Sequence, residues 1–244
     1  MRISEKINMA RPELERFGAI TIVAFGDSVT HGAVADGEIN YETVYWNRLK
    51  NMILARKNYV PVNVINSGIG GTSAFGSLQR FESQALKYEP DLIIIAFGLN
   101  DVNGSLENYL SALKEMFAKC KEREIDAIFL TPNMLNTYVA TDTAPRHLEY
   151  AKKTADMQNS GKMDLYINSA RELAKEMGIP VCDCYAKWKK LAETEDTTLL
   201  LANRINHPKK EMHALFAEEL YRMIFDGNDN APTDKSESTM YQGK

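Results

Sequence analysis

Cysteine is scarce in this chain. The 244 residues contain three, Cys120, Cys182 and Cys184. The number is odd and no pair has C-x-x-C spacing, so neither a disulfide framework nor a thiolate metal site is expected. Cys182 and Cys184 flank Asp183 in what reads as a strand, which would put both thiols on one face, reduced, in a cytoplasmic protein. No run approaches the roughly 18–20 apolar residues of a membrane span. The segment Met1-Arg2-Ile3-Ser4-Glu5-Lys6 is polar and lacks the apolar core of a signal peptide, which also fits a cytoplasmic location. An excess of one charge is missing as well. Lys and Arg number 29 against 33 Asp and Glu, a net charge of −4, which gives no electrostatic case for a nucleic-acid or anionic-membrane partner. No internal repeat is present.

What is there is ordinary for a soluble globular protein, 44% apolar and 25% charged residues. The length suits a single α/β domain over residues 1–226. From about Gly227 the chain turns Asp/Asn/Ser-rich and poor in apolar residues, and a disordered tail is expected over 227–244. Apolar runs at Ile20–Phe25, Val62–Asn66, Leu92–Phe97, Ala127–Thr131 and Pro180–Asp183 read as strands. Helical spacing over Tyr41–Lys57, Ser73–Tyr88, Leu106–Glu124 and Lys209–Phe225 separates or follows them. Residues 1–18 read as an irregular or helical lead-in. Strands alternating with helices imply a parallel sheet with right-handed crossovers, and a run such as Leu92-Ile93-Ile94-Ile95 suits a strand covered on both faces. The fold expected is three-layer α/β/α with about five parallel strands. The stretch from Pro132 to Met177 is polar and helical in part, with Gly161 as a break; a connection this long suits a pocket rim or lid.

Four short blocks carry the chemistry. Gly26-Asp27-Ser28 ends the first apolar run and would deliver a serine hydroxyl to the carboxyl edge of the sheet, where open α/β sheets build their sites. Asn66-Ser67-Gly68-Ile69-Gly70-Gly71-Thr72 follows the second run, and Phe97-Gly98-Leu99-Asn100-Asp101 the third. Asn206-His207-Pro208 precedes the last helix. A serine needs a base to become a nucleophile, and a tetrahedral intermediate needs preorganised N–H donors. Each block also has a plain structural reading. Ser28 could be a turn serine or a helix cap, the glycines a flexible turn, and Asn100 a cap for the helix starting near Ser105. The glycines lack the spacing of a dinucleotide fingerprint and the Lys-Ser/Thr of a P-loop. Among the four histidines, His207 sits in a loop that the topology can return to Ser28. His213 lies inside the last helix, where it would be packed or solvent-facing. His31 is close enough to Ser28 to contribute locally, and His147 is expected at the surface.

The blocks, in this order and each after the expected element, resemble the SGNH hydrolases, also called the GDSL lipase/esterase family. The likeness spans about Ile20 to Phe225. It implies a flavodoxin-like sheet, Ser28 as nucleophile and His207 as general base. It also implies an oxyanion hole made of the backbone N–H groups of Ser28 and Gly71 and the side chain of Asn100. Gly71 is chosen over Gly70 because it lies five residues after Asn66, as in the family pattern. No metal or organic cofactor is implied. The chain departs from the pattern at Arg204, where many members carry an aspartate three residues before the histidine. Arginine cannot orient an imidazole as a carboxylate does. Either a backbone carbonyl orients His207 in a dyad, or Asn203, Asp196 or another acceptor stands in, or hydrolysis has been lost and binding kept. The dyad is the reading adopted. The expected activity is hydrolysis of short-chain acyl esters, O-acetyl on a carbohydrate, because no long apolar stretch suggests a lipid-binding lid and the region 132–161 is rich in Asn, Thr, Asp and Lys. Lysophospholipase or acyl thioesterase activity, and a ligand-binding module without catalysis, are the alternatives.

Overall fold

The computed structural model describes residues 2–225 except Asp36 and Asn58; the expected tail over 227–244 lies outside the described residues. Two short helices, α1 (Arg2–Lys6) and α2 (Arg11–Phe17), form the lead-in. Five strands follow in chain order: β1 (Ile20–Gly26), β2 (Val62–Gly68), β3 (Leu92–Ala96), β4 (Asp126–Leu130) and β5 (Val181–Cys182). They pair in the order β2-β1-β3-β4-β5, all parallel. The first crossover runs one way from β1 and the next runs the other way, so the order reverses between β1 and β3. Ligand sites of open α/β sheets sit at such a switch point, outside the carboxyl ends of the strands.

Strand side chains alternate between two cores. On one face Val23, Phe25, Ile93, Ile95 and Phe129 pack with α5 (Ala74–Gln84), α6 (Leu106–Glu122) and α8 (Lys162–Glu176). On the other, Ile22, Ala24, Ile94, Ile128 and Leu130 pack with α1, α4 (Tyr45–Arg56) and α10 (His213–Ile224). Leu92, Ile93, Ile94 and Ile95 are all fully buried. Burial of each such side chain contributes about 1.5–3 kcal/mol, which explains why β3 reads as an unbroken apolar run.

Several boundaries differ from the periodicity, each for a local reason. The helix expected from Tyr41 starts at Tyr45, because Asn40 Oδ1 accepts the N–H groups of Glu42 and Thr43 and holds these residues in a turn. The helix expected from Lys209 begins as a 3-10 turn at Lys210–Met212 and becomes α10 only at His213. β5 is two residues long because Asp183 leaves it to cap α9 (Cys184–Leu191), accepting the N–H of Ala186. Cys184 is therefore helical rather than in the strand with Cys182. The two buried thiols nonetheless lie 3.9 Å apart, and all three cysteines are free. The stretch after β4 holds α7 (Leu148–Asn159) and then α8, with Gly161 between them in the left-handed region (φ +78°). No helix among the described residues is long and apolar enough to cross a membrane.

Candidate active site

β1 ends at Gly26, and the chain turns at once into the four-residue helix α3 (Ser28–His31). Asp27 caps this helix, its Oδ1 accepting the N–H of Val29 at 3.0 Å, so Ser28 is the first helical residue rather than the cap. The first N–H groups of a helix have no partner within it, and the Ser28 N–H is one of these. β2 has to pass very close to α3. A Cβ on Gly68 would sit 2.3 Å from the backbone nitrogen of His31 and 2.6 Å from the carbonyl carbon of Thr30. Only glycine permits that approach.

The histidine of the fourth block reaches the serine. His207 Nε2 lies 2.9 Å from Ser28 Oγ, across 179 residues of chain. Its other nitrogen, Nδ1, lies 2.9 Å from the carbonyl oxygen of Val34. A carbonyl can only accept, so Nδ1 carries the proton, and the neutral ring leaves Nε2 free to accept from the serine hydroxyl. Burial holds the imidazole below its ordinary value of 6.5; the Val34 carbonyl pulls the other way, and the charge of nearby His147 adds to the depression.

The loop carrying His207 is built around Asn203. Its Oδ1 accepts the N–H groups of Ile205, Asn206 and His207, each at 3.0 Å, and its Nδ2 donates to Asn206 Oδ1. Arg204, in the left-handed region at φ +59°, is turned to other partners. Its guanidinium donates to the Asp142 carboxylate and to the carbonyls of Leu199 and Leu201. Asp196 caps a 3-10 turn and accepts from the Tyr138 hydroxyl at 2.6 Å. Asn203 thus meets His207 only at its main-chain N–H, and the group at the Nδ1 of the imidazole is the main-chain carbonyl of Val34.

The glycine turn follows β2 and contacts both the end of β1 and the segment after β3. Ile69 donates its N–H to the Gly26 carbonyl at 3.1 Å. A Cβ on Gly70 would come within 3.8 Å of Ser28 Cβ and 3.9 Å of His31 Nδ1, so the turn packs against the serine. Gly71 adopts φ +76° with open space where a side chain would be, a conformation that disfavours any other residue. Asn100 donates from Nδ2 to the Thr72 carbonyl at 3.0 Å, which ties the end of β3 to this turn and leaves a second N–H on the amide. It is Ser105, not Asn100, that caps α6.

Further residues, within the four blocks and beyond them, support the site. Asp101 is buried and accepts the N–H of Ala74 at 2.8 Å, fixing the start of α5. Burial pushes the carboxyls of Asp27 and Asp101 up to about 7 each, and the charge of Asp101 adds to the rise at Asp27. Buried Asn133 donates to the Asn206 carbonyl, and the Asn136 N–H donates to the Ile205 carbonyl. The irregular chain after β4 therefore braces the His207 loop. Asn-rich composition after Pro132 was the available signal, although it read as a polar rim rather than a buried brace. His213 is packed, stacked against Tyr45, accepting the Tyr45 N–H and held down to about 3 by burial.

An α/β sheet with a serine and a histidine paired at its switch point defines a hydrolase-like architecture. The chain belongs to the GDSL-like lipase/acylhydrolase family, whose model matches residues 24–215. Its sheet and flanking helices are those of SGNH hydrolase structures. It is similar to the lipase/acylhydrolase of Enterococcus faecalis at 22% identity, with 87% of this chain and 98% of that one covered and a TM-score of 0.67. It is similar to the acetylxylan esterase Axe2 of Geobacillus stearothermophilus at 22% identity, with 84% and 94% covered and a TM-score of 0.66. Two catalytic mutants of that enzyme, one changed at a serine and one at a histidine, are also similar in structure. A curated relative, the uncharacterized lipoprotein YqeF of Bacillus subtilis, is 26% identical over 226 residues, covering 84% of this chain and 88% of that protein. At these identities the structural likenesses carry the fold alone.

Proposed function

We propose that this protein is a serine esterase that hydrolyses short-chain acyl esters, O-acetyl groups on a carbohydrate, through an acyl-serine intermediate. The observation that carries the reading is the relay from Ser28 Oγ to His207 Nε2 and from His207 Nδ1 to the Val34 carbonyl, each step 2.9 Å long. Ser28 attacks the ester carbonyl carbon while His207 takes the hydroxyl proton. The negative charge that forms on the former carbonyl oxygen is met by the N–H groups of Ser28 and Gly71 and by the amide of Asn100. One such donor is worth about 3–4 kcal/mol. The tetrahedral intermediate collapses, the C–O bond to the alcohol breaks, and His207 returns the proton to the departing oxygen. Water then attacks the acyl-serine with His207 again as base, releasing the carboxylic acid and restoring the hydroxyl. These steps use only this chain's residues and water.

The carbohydrate assignment is supported by the polar segment over 132–161 and by the likeness to an acetylxylan esterase, whose catalytic mutants fall on a serine and a histidine. A binding module without catalysis drew its support from Arg204. The Val34 carbonyl supplies the orientation which that reading held to be missing. The test is hydrolysis of p-nitrophenyl esters from acetate to palmitate by the wild type and by Ser28→Ala. Turnover that is highest on acetate, falls with chain length and vanishes in Ser28→Ala is expected. A long-chain preference would move the substrate to lipids, and no Ser28-dependent turnover would contradict esterase activity.

A further inference from the structure

Beneath the glycine turn lies a cation that the proposed mechanism does not use. Arg80, in the middle of α5, is half-buried and lies over the ring of Phe25, 4.3 Å from its centroid. Its Nη1 donates to the Ser67 carbonyl at 2.6 Å and to Gln84 Oε1 at 3.1 Å. Its Nη2 donates to the Gly26 carbonyl at 3.1 Å and to Ser77 Oγ at 3.1 Å, with a longer, shared contact to Thr72 Oγ1 at 3.4 Å. Every one of these acceptors is neutral. Nε is buried without a partner, and burial lowers the pKa of the guanidinium.

A charged group with no acid beside it and one orphaned donor is a poor device for stability. A methionine would cover Phe25 without that desolvation cost. What an arginine adds is a rigid planar fork. Its contacts outside its own helix fall on three places. Gly26 directly precedes Asp27 and Ser28. Ser67 is the next-to-last residue of β2, just before the glycine turn. Thr72 follows Gly71, and its own carbonyl holds the amide of Asn100. Gly26 O is also the acceptor for Ile69 N–H, so the guanidinium and the turn share one anchor.

We propose that Arg80 is a positioning residue that sets the mutual spacing of the oxyanion donors Ser28, Gly71 and Asn100; the proposal rests on the esterase reading. Lysine keeps the charge but offers no fork, and methionine keeps the packing on Phe25 but offers no donors. A misplacement of about 1 Å in an active site costs on the order of a hundredfold in rate. Arg80→Lys and Arg80→Met are therefore compared with the wild type after their folding is checked by circular dichroism and thermal unfolding. The readouts are kcat and KM on p-nitrophenyl acetate and the Ki of an alkylboronic acid, a tetrahedral mimic. The expected result in Arg80→Lys is a fall in kcat of about tenfold to a hundredfold, KM within about threefold, and boronate affinity falling in parallel with kcat/KM. A larger loss is expected in Arg80→Met; should that variant fail to fold, the lysine variant carries the test alone. Folded variants whose kcat and boronate affinity stay within twofold of wild type would overturn the proposal, and so would a lowered melting temperature with unchanged kinetics. A wild type without Ser28-dependent turnover would instead overturn the esterase reading, and the proposal with it.

Discussion

His207 Nδ1 lies 2.9 Å from the carbonyl oxygen of Val34, a main-chain group 173 residues away in sequence. The contact fixes the tautomer that directs Nε2 at Ser28, the job a carboxylate does in a three-residue triad. A neutral carbonyl cannot stabilise the imidazolium as a carboxylate would, and burial further disfavours the charged ring.

The first prediction concerns pH. A histidine whose pKa is lowered stays neutral, and able to accept a proton, at pH values where an ordinary one is protonated. The acid limb of kcat/KM should therefore have its inflection below 6.5, the ordinary value. Replacing His147 by glutamine removes one cause of the depression, so the inflection should move upward. An acid limb centred at or above 6.5 in the wild type would contradict this environment for His207.

A second prediction separates the loop's two neighbouring residues. Asn203→Ala removes the acceptor of three N–H groups. It should lower stability by about 1–3 kcal/mol, the cost of leaving buried donors unpaired, and lower kcat/KM by less than His207→Ala does. His207→Ala itself should cost about a thousandfold or more. Arg204→Asp places an acid where the family resemblance implies one, but the Val34 carbonyl already occupies Nδ1 and the contact with Asp142 is lost. It should not raise kcat/KM. Steady-state kinetics and urea unfolding on the three variants check both statements.

Asp101 offers a test by stability. Its carboxyl titrates near 7 when folded against 3.8 ordinarily. The folded state therefore holds the proton more tightly, and the stabilisation relative to the unfolded chain is lost as pH rises from about 4 through about 7. Asp101→Asn keeps an acceptor for the Ala74 N–H and removes the titration. Urea unfolding between pH 4 and 8 should show a shallower decline for the variant than for the wild type.

Gly68→Ala tests the close approach of β2 to α3. The new Cβ would meet backbone atoms of Thr30 and His31 at 2.6 and 2.3 Å, and backbone cannot swing aside. A loss of about 1–3 kcal/mol is expected, with a fall in kcat because Ser28 opens the displaced helix. Unchanged melting temperature and kcat would show that this packing is not tight.

Much of this architecture was legible because β1, β3 and β4 are buried on both faces and so read as apolar runs. Where polar side chains decide the local structure, periodicity failed. Asn40 delays α4, and Asp183 ends β5 and starts α9. The pairing of Ser28 with His207 was legible from position, since the first three blocks follow strands of one parallel sheet and the fourth lies in the loop before the last helix, which the topology can return to Ser28. The Val34 carbonyl was not, because every residue has a carbonyl and residue identity does not mark the one that faces a histidine. The bracing by Asn133 and Asn136 and the bridging by Arg80 were hidden for a related reason, since their hydrogen bonds go to main-chain atoms of distant segments.

The central claim, that Ser28 is activated by a histidine held by main chain, is tested most directly by a phosphonate ester that forms a covalent bond with an activated serine. Its rate of addition would be measured by intact mass from pH 4 to 8 and the adduct located by peptide mapping. One adduct on Ser28 is expected, forming at a rate that falls along a single ionisation below pH 6.5 and collapses in His207→Ala. No adduct at Ser28, or a rate that His207→Ala leaves unchanged, would contradict the account.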